Sequence, residues 1–365
     1  MSAPLRVGVI GVGVISKQYF ETFPRLSNLR LTAVADLDLD RARAVADEQG
    51  VAALSVPELL ASDDVDVVLN LTIPAAHVPV GTDALRAGKH VYAEKPLGLD
   101  PREAAPMLAL AEERGLRVGS APDTVLGTGV QTARRLLDDG VVGTPLSASV
   151  AWSSPGHERW HPAPFFYYQP GGGPLLDMGP YYLTALVSLL GPVERVSGTS
   201  RRSPRERTVG SGANAGAPVP VTTDTSMTAI LEHRGGAVST VAFSFDVWAS
   251  RRPLFEVYGT EGTIAVPDPN RFDDSVEVFT AEAGEWRTVD PSAGYPGAAR
   301  GTGLSDMARA IETGRPHRAS GELALHVLEI MAAVTASSTT HAVVPLTTTV
   351  ERPEAVPEGA DPATW

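Results

Sequence analysis

For roughly its first 120 residues the chain switches between short unbroken apolar runs and stripes of apolar residues at helical spacing. The runs Leu5 to Ile10, Leu31 to Ala35, Val65 to Leu71, His90 to Ala93 and Arg117 to Ser120 have strand length and little polar alternation. Strands of that kind are buried on both faces. Helical patterns lie between them: Ile15 to about Leu26, Ala76 to Ala87 stopping at Gly88, and Pro101 to about Arg114 stopping at Gly115. Strand and helix in alternation predict a parallel sheet covered on both sides, with ligands at the carboxyl ends of its strands.

At Thr144 the period changes. Residues 144–153 alternate as a half-exposed strand does, and further strands are expected at 193–199, 222–232, 236–246, 252–258, 262–266 and 274–279. Arg234-Gly235-Gly236 and Gly259-Thr260-Glu261-Gly262 supply hairpin turns. Residues 203–221 read as a loop, and helices are expected at 181–190, 302–313 and 319–339. The fold class is an α/β Rossmann domain followed by an α+β domain with a large, open, mostly antiparallel sheet. The expected domains are 1–122 and 123–350, with a tail at 351–365. No internal repeat is visible.

Composition narrows the function classes. A chain of 365 residues suggests two domains, and a net charge of −13 argues against a nucleic-acid or anionic-membrane partner. Without cysteine there is no disulfide, thiolate catalysis or thiolate zinc site. No metal site is expected from the eight histidines, which lack metal-binding spacing. No apolar run of membrane-spanning length stands out, and Met1-Ser2-Ala3-Pro4 has no basic stretch before an apolar one, so a cytoplasmic enzyme is expected.

The first strand runs into Gly11-Val12-Gly13-Val14-Ile15-Ser16 and a helix, and the second ends in Asp36. In that context Gly11 serves a tight turn and Gly13 allows close approach of a pyrophosphate. Val14 and Ile15 open the helix whose amino end would face it. Ser16 stands where a third glycine is usual. Asp36 would bind both adenine-ribose hydroxyls and repel a 2′-phosphate by about 4 kcal/mol at ~4 Å and an effective dielectric of ~20. NAD is therefore expected over NADP, with Arg41 one turn later softening the preference; a helix cap is the other reading of Asp36. Thr72, Pro74, His77, Glu94 and Lys95 fall at or just past strand ends and are expected to line the cofactor groove.

Three lysines stand against 27 arginines, and one of the three is Lys95 in Glu94-Lys95-Pro96. A lysine, unlike an arginine, is able to exchange its proton near neutral pH. Residues 160–182, WHPAPFFYYQPGGGPLLDMGPYY, combine aromatics, a glycine triplet and a lone acid. Asp177 and Tyr181 are four apart, so on a helix they project together. With Lys95 opposite they make an acid–base set. The glycine triplet would let backbone lie against a cofactor ring. Asp123, Trp160, His161, Tyr167 and Tyr168 are further candidates for substrate contact.

GVGVIS at 11–16, Asp36, TIP with His77, EKP at 94–96 and GGGPLLDMGPYY at 171–182 together resemble the Gfo/Idh/MocA oxidoreductases, as do YGTEGTI at 258–264 and GRPHRASGEL at 314–323. The resemblance implies hydride transfer between a nicotinamide and a secondary alcohol or ketone of a sugar, glycoside or polyol. It also implies a cis Lys95–Pro96 peptide, catalytic roles for Lys95 and Asp177, and a homodimer or homotetramer formed through the C-terminal sheet. Tyr181 occupies the position where inositol-dehydrogenase-like members carry histidine. Either Lys95 or Tyr181 would be the base. Two other readings remain: a redox-assisted glycosidase or lyase of the same superfamily, and a non-catalytic NAD-binding regulator.

Overall fold

The computed structural model describes residues 3–365; Met1 and Ser2, part of the amino-terminal segment read above, lie outside them. The first half is a six-stranded sheet. In chain order it comprises β1 (Leu5–Ile10), α1 (Ser16–Thr22), β2 (Leu29–Ala35), α2 (Leu39–Gln49), β3 (Ala52–Ala53), α3 (Val56–Ala61), β4 (Val67–Asn70), α4 (Pro74–Arg86), β5 (His90–Ala93), α5 (Pro101–Glu113) and β6 (Val118–Ser120). The sheet order is β3-β2-β1-β4-β5-β6, all parallel. The order reverses between β1 and β4, and ligand crevices form beyond the carboxyl ends at such a point. Val67, Val68 and Leu69 are fully buried, which accounts for their unbroken apolar character, and buried Asn70 closes the strand by donating to His77 O at 3.0 Å.

The second half contains α6 (Thr128–Asp138), β7 (Pro145–Ser153), α7 (Pro174–Leu190), β8 (Val193–Arg201), β9 (Ser226–His233), β10 (Val238–Ser244), β11 (Phe255–Gly259), β12 (Gly262–Ala265), β13 (Val276–Thr280) and β14 (Trp286–Val289). Two long helices follow, α8 (Thr302–Thr313) and α9 (Gly321–Thr340), then β15 (Val344–Pro345). Its nine strands run β14-β13-β12-β11-β7-β10-β9-β8-β15. All neighbours are antiparallel except β7 and β10, whose parallel register pairs Val150 with Val241. Alternation is visible in β10, where Ser239, Val241 and Phe243 point inward and Val238 and Thr240 outward.

Two expectations change here. Helix α7 begins at Pro174, seven residues before the expected start, so Asp177 lies in its first turn. Helix α9 has the length and hydropathy of a membrane span, contrary to the sequence reading, but half of it is buried inside the protein. It packs on β8, α7 and α5, and a helix held between layers is apolar on more than one side.

The two halves are laced together. Asn28 exchanges hydrogen bonds with Ser305 of α8, at 2.9 and 2.7 Å. Ser120 N–H donates to Ala319 O at 3.0 Å, and a His317 ring nitrogen lies 2.9 Å from Val118 O. The tail returns across α6: Val356 is completely buried and its N–H donates to Gln131 Oε1 at 2.8 Å.

Candidate functional site

The glycine turn after β1 is built for close approach. Gly11 has φ +94°, and a side chain there would meet the Leu71 carbonyl at 2.8 Å, so only glycine fits. Above Gly13 there is open space, and Val14 is 90% exposed. Ser16 is buried and its hydroxyl donates to Gly13 O at 2.7 Å, so a small polar residue closes the turn in place of a third glycine. Asp36 accepts from Val12 N–H and Asp38 N–H, each at 2.9 Å. The cap of α2 is Asp38. Each Asp36 oxygen keeps a lone pair for a ribose hydroxyl, and Arg41 stands 3.7 Å away. An open glycine turn, an exposed helix start in Val14 and Ile15 and an acid at the end of β2 fit a nicotinamide dinucleotide.

Other predicted cofactor residues are turned to structural use. His77 is 1% exposed, with its ring nitrogens 2.7 Å from Pro96 O and 3.0 Å from Thr72 O. Burial lowers its pKa despite those contacts. It ties the exits of β4 and β5 together and does not line a groove. The Glu94 carboxylate also faces inward, accepting from Tyr19 Oη at 2.8 Å and from Lys95 N–H at 3.0 Å. Thr72 Oγ1 donates to Asn70 Oδ1 at 2.6 Å, while Thr72 and Pro74 remain partly exposed at the sheet edge.

The chemistry converges on α7. Its first turn carries Asp177, where the helix amino end favours a carboxylate. Lys95, following β5 with a cis bond to Pro96, donates from Nζ to Asp177 O at 2.6 Å and to Oδ1 at 3.0 Å. The same ammonium lies 4.9 Å from the Tyr181 ring centre. Burial alone would raise the Asp177 pKa, but Lys95 and His157 outweigh it and hold it at about 2. Burial works against the Lys95 ammonium too, yet Tyr181, Asp177 and Glu94 overcome it and raise its pKa.

Two participants were missed in the sequence. His157 places Nε2 3.0 Å from Asp177 Oδ2, and Arg300 Nη2 donates to Tyr181 Oη at 3.0 Å. They come from 20 residues before Asp177 and 119 beyond Tyr181, with no motif around either.

The second tier divides. Trp160 is 58% exposed, its ring 5.1 Å from His157 and 5.4 Å from His161. Tyr167 packs 4.6 Å from His157, and burial pushes its pKa up to about 12. These rings form one wall. Asp123 does not reach any mouth: it is fully buried, accepting from Gly301 N–H at 2.9 Å and Gly303 N–H at 3.1 Å. Tyr168 is equally buried, its hydroxyl donating to Glu158 and accepting from Arg207 at 3.2 Å. The glycine triplet faces its own chain, since a side chain at Gly172 would strike Phe166 O at 2.3 Å. Among the described residues no group of three or more histidines and acids is placed to hold a metal.

Residues 5–121 match a family described as "Oxidoreductase family, NAD-binding Rossmann fold", and residues 130–265 match the "GFO/IDH/MocA C-terminal domain". The chain belongs to the Gfo/Idh/MocA oxidoreductase family. Among curated relatives it is similar to the dTDP-3,4-didehydro-2,6-dideoxy-alpha-D-glucose 3-reductase of Streptomyces violaceoruber, 36% identical over 58% of this chain. That match spans 62% of the relative's length, short of two thirds. The protein of the same name from Streptomyces antibioticus is 30% identical over 82% of this chain and 88% of the relative. A solved NAD binding oxidoreductase from Klebsiella pneumoniae shares the fold at a TM-score of 0.81 and 22% identity, covering 95% of this chain and 100% of that one.

Proposed function

We propose that this Gfo/Idh/MocA member moves a hydride between a nicotinamide cofactor and a secondary alcohol or ketone on a sugar, glycoside or polyol. The observation that carries the reading is the placement of Lys95 between Asp177 and Tyr181, just past a strand whose sheet carries the glycine turn and Asp36. Relatives named as sugar reductases support the substrate class.

When bound, the nicotinamide supplies the hydride acceptor or donor. Lys95 has three N–H groups, two of them on Asp177, and the third is free for the reacting oxygen. There it stabilises negative charge as it develops. Asp177 keeps the ammonium charged and aimed, so Lys95 is a poor proton acceptor. We therefore assign the proton to Tyr181: its oxygen takes it from the hydroxyl in oxidation and returns it in reduction. An anion on that oxygen faces Arg300 at hydrogen-bond distance and Lys95 above the ring. The exposed rings of Trp160 and its neighbours offer stacking surface to a sugar's apolar face.

The open face of the second sheet carries Thr228, Ile230, Val238, Thr240 and Ala242, small or apolar, with the Arg195–Glu232 ion pair beside Val238. That surface supports a homodimer or homotetramer.

Absorbance at 340 nm with NAD or NADP and a panel of sugars, glycosides and inositols tests the reading, with Lys95→Ala alongside. Steady NADH formation that the variant abolishes is expected. Retained cofactor with no net NADH on any substrate would move the assignment to a redox-assisted glycosidase.

A further inference from the structure

Three consecutive side chains on one turn point three ways. In His157–Arg159 the histidine reaches Asp177, Glu158 is buried on Arg205 and Arg207, and Arg159 lies over the ring of Trp248 at 4.7 Å. Arg205 approaches the same ring at 5.3 Å. Trp248 is nonetheless 65% exposed. Arg251 and Arg252, both exposed, follow it in the same loop. The sheet register brings Arg201 here as well: it pairs with Ser226, which pairs with Ser244, two residues before Asp246.

This end of the sheet thus collects seven arginines, at 159, 201, 202, 205, 207, 251 and 252, against four carboxylates, at 158, 206, 224 and 246, on a chain of net charge −13. Glu158 and Asp246 are already taken, by Arg205 and Arg207. Among the described residues Arg159, Arg201, Arg251 and Arg252 have no carboxylate within ion-pair reach. Surface arginines such as Arg6, Arg43, Arg102 and Arg195 each sit on a carboxylate of their own. Unneutralised guanidiniums brought together repel one another unless an anion joins them, and a guanidinium over an indole keeps N–H groups available to phosphate oxygens.

We propose that this arginine platform around Trp248 is a subsite for a phosphate or diphosphate group carried by the sugar substrate. The proposal deepens the oxidoreductase reading and depends on it for the sugar. The turn that positions His157 on Asp177 also positions Arg159 on Trp248, so the reacting carbon and the charged substituent are registered by one piece of chain. Trp160, next along and half open to solvent, packs 5.1 Å from His157 and offers its ring to the sugar.

The test uses the full chain with NAD bound and thymidine diphosphate as probe, by titration calorimetry, for the native protein and for Arg159→Ala and Arg252→Ala. Both arginines are exposed and unpaired, and unchanged unfolding midpoints would exclude a folding defect. Binding that weakens on the order of tenfold in each variant and falls with added salt is expected. Inorganic pyrophosphate should compete with the probe. In the 340 nm assay, sugar 1-phosphates or nucleoside diphosphate sugars should outperform their neutral parents, with KM raised in the variants and kcat kept. Equal turnover of neutral and phosphorylated sugars, or probe affinity indifferent to both arginines, would overturn the subsite. So would tighter binding of a single-stranded oligonucleotide than of the diphosphate. Probe binding that obeys the arginines while no sugar is oxidised or reduced would instead defeat the oxidoreductase reading and leave the subsite standing.

Discussion

His157 meets Asp177 at 3.0 Å on the carboxylate oxygen that Lys95 leaves free. Two donors from different parts of the chain, one on each oxygen, keep a nearly buried acid ionised. The folded-state pKa of about 2 lies below the ordinary 3.8. A depressed carboxylate contributes stability above its unfolded pKa and loses it as pH falls through the folded one. Asp177 should therefore add about 2 kcal/mol above roughly pH 4, fading toward pH 2. Chemical denaturation of the native protein and Asp177→Asn from pH 7 to 3 checks this. A stability gap that stays constant below pH 4 would contradict it.

Lys95→Met removes the ammonium and leaves the Asp177 carboxylate with His157 as its remaining side-chain donor. Turnover should fall on the order of 10²–10⁴-fold, the range for loss of an acid–base or charge-stabilising group. Affinity for NAD, measured by fluorescence quenching, should change little, because the glycine turn and Asp36 are untouched. A variant that keeps native kcat would remove Lys95 from the chemistry.

Tyr181→Phe separates the two candidate bases. With Lys95 held protonated by its neighbours, the phenol oxygen is the proton acceptor, and its loss should lower kcat about 10²–10⁴-fold with NAD affinity intact. Substantial turnover in that variant would return the proton to Lys95.

Asp36→Ser should shift cofactor preference. The side chain no longer repels a 2′-phosphate, and Arg41, 3.7 Å from the carboxylate in the native protein and 3.1 Å from Asp38, keeps a positive charge beside that position. The ratio of kcat/KM for NADP to that for NAD should rise by at least about tenfold. An unchanged ratio would mean that Asp36 does not face the adenine ribose.

Asp306 anchors a buried ion cluster within the second half. It is fully buried, accepting from Arg318 N–H at 2.9 Å, Arg315 Nη2 at 2.8 Å and Tyr295 Oη at 2.9 Å. Asp306→Ala leaves the buried Arg318 guanidinium without its main partner and should cost about 3–5 kcal/mol. A loss under 1 kcal/mol in urea unfolding would show that the cluster rearranges to compensate.

Much of this was legible in the chain. The parallel sheet was readable because strands buried on both faces are apolar almost without interruption, as in Val67, Val68 and Leu69. The glycine turn and Asp36 were readable because their chemistry is local. Asp177 and Tyr181 could be paired because four residues bring helix positions together. The start of α7 was missed because Pro174 and the glycines before it resemble a loop, although proline is at home in a helix's first turn. β14 went unseen because Trp286 to Thr288 are exposed and carry no alternation. His157 and Arg300 were invisible for another reason: each meets its partner only through the tertiary fold. Asp123, Tyr168 and Glu94 show the converse error, since a polar residue looks the same in sequence whether it faces a cleft or a buried partner.

The lacing of the two halves also bears on the order of events in turnover. Asn28 on Ser305, Ser120 on Ala319 and Asp123 on the amides beginning α8 fasten the seam from inside. Jaws joined in this way do not swing wide. On the proposed reading, the dinucleotide is expected to be seated before the carbohydrate and to leave after it, a compulsory order that product-inhibition kinetics with reduced and oxidised cofactor would check.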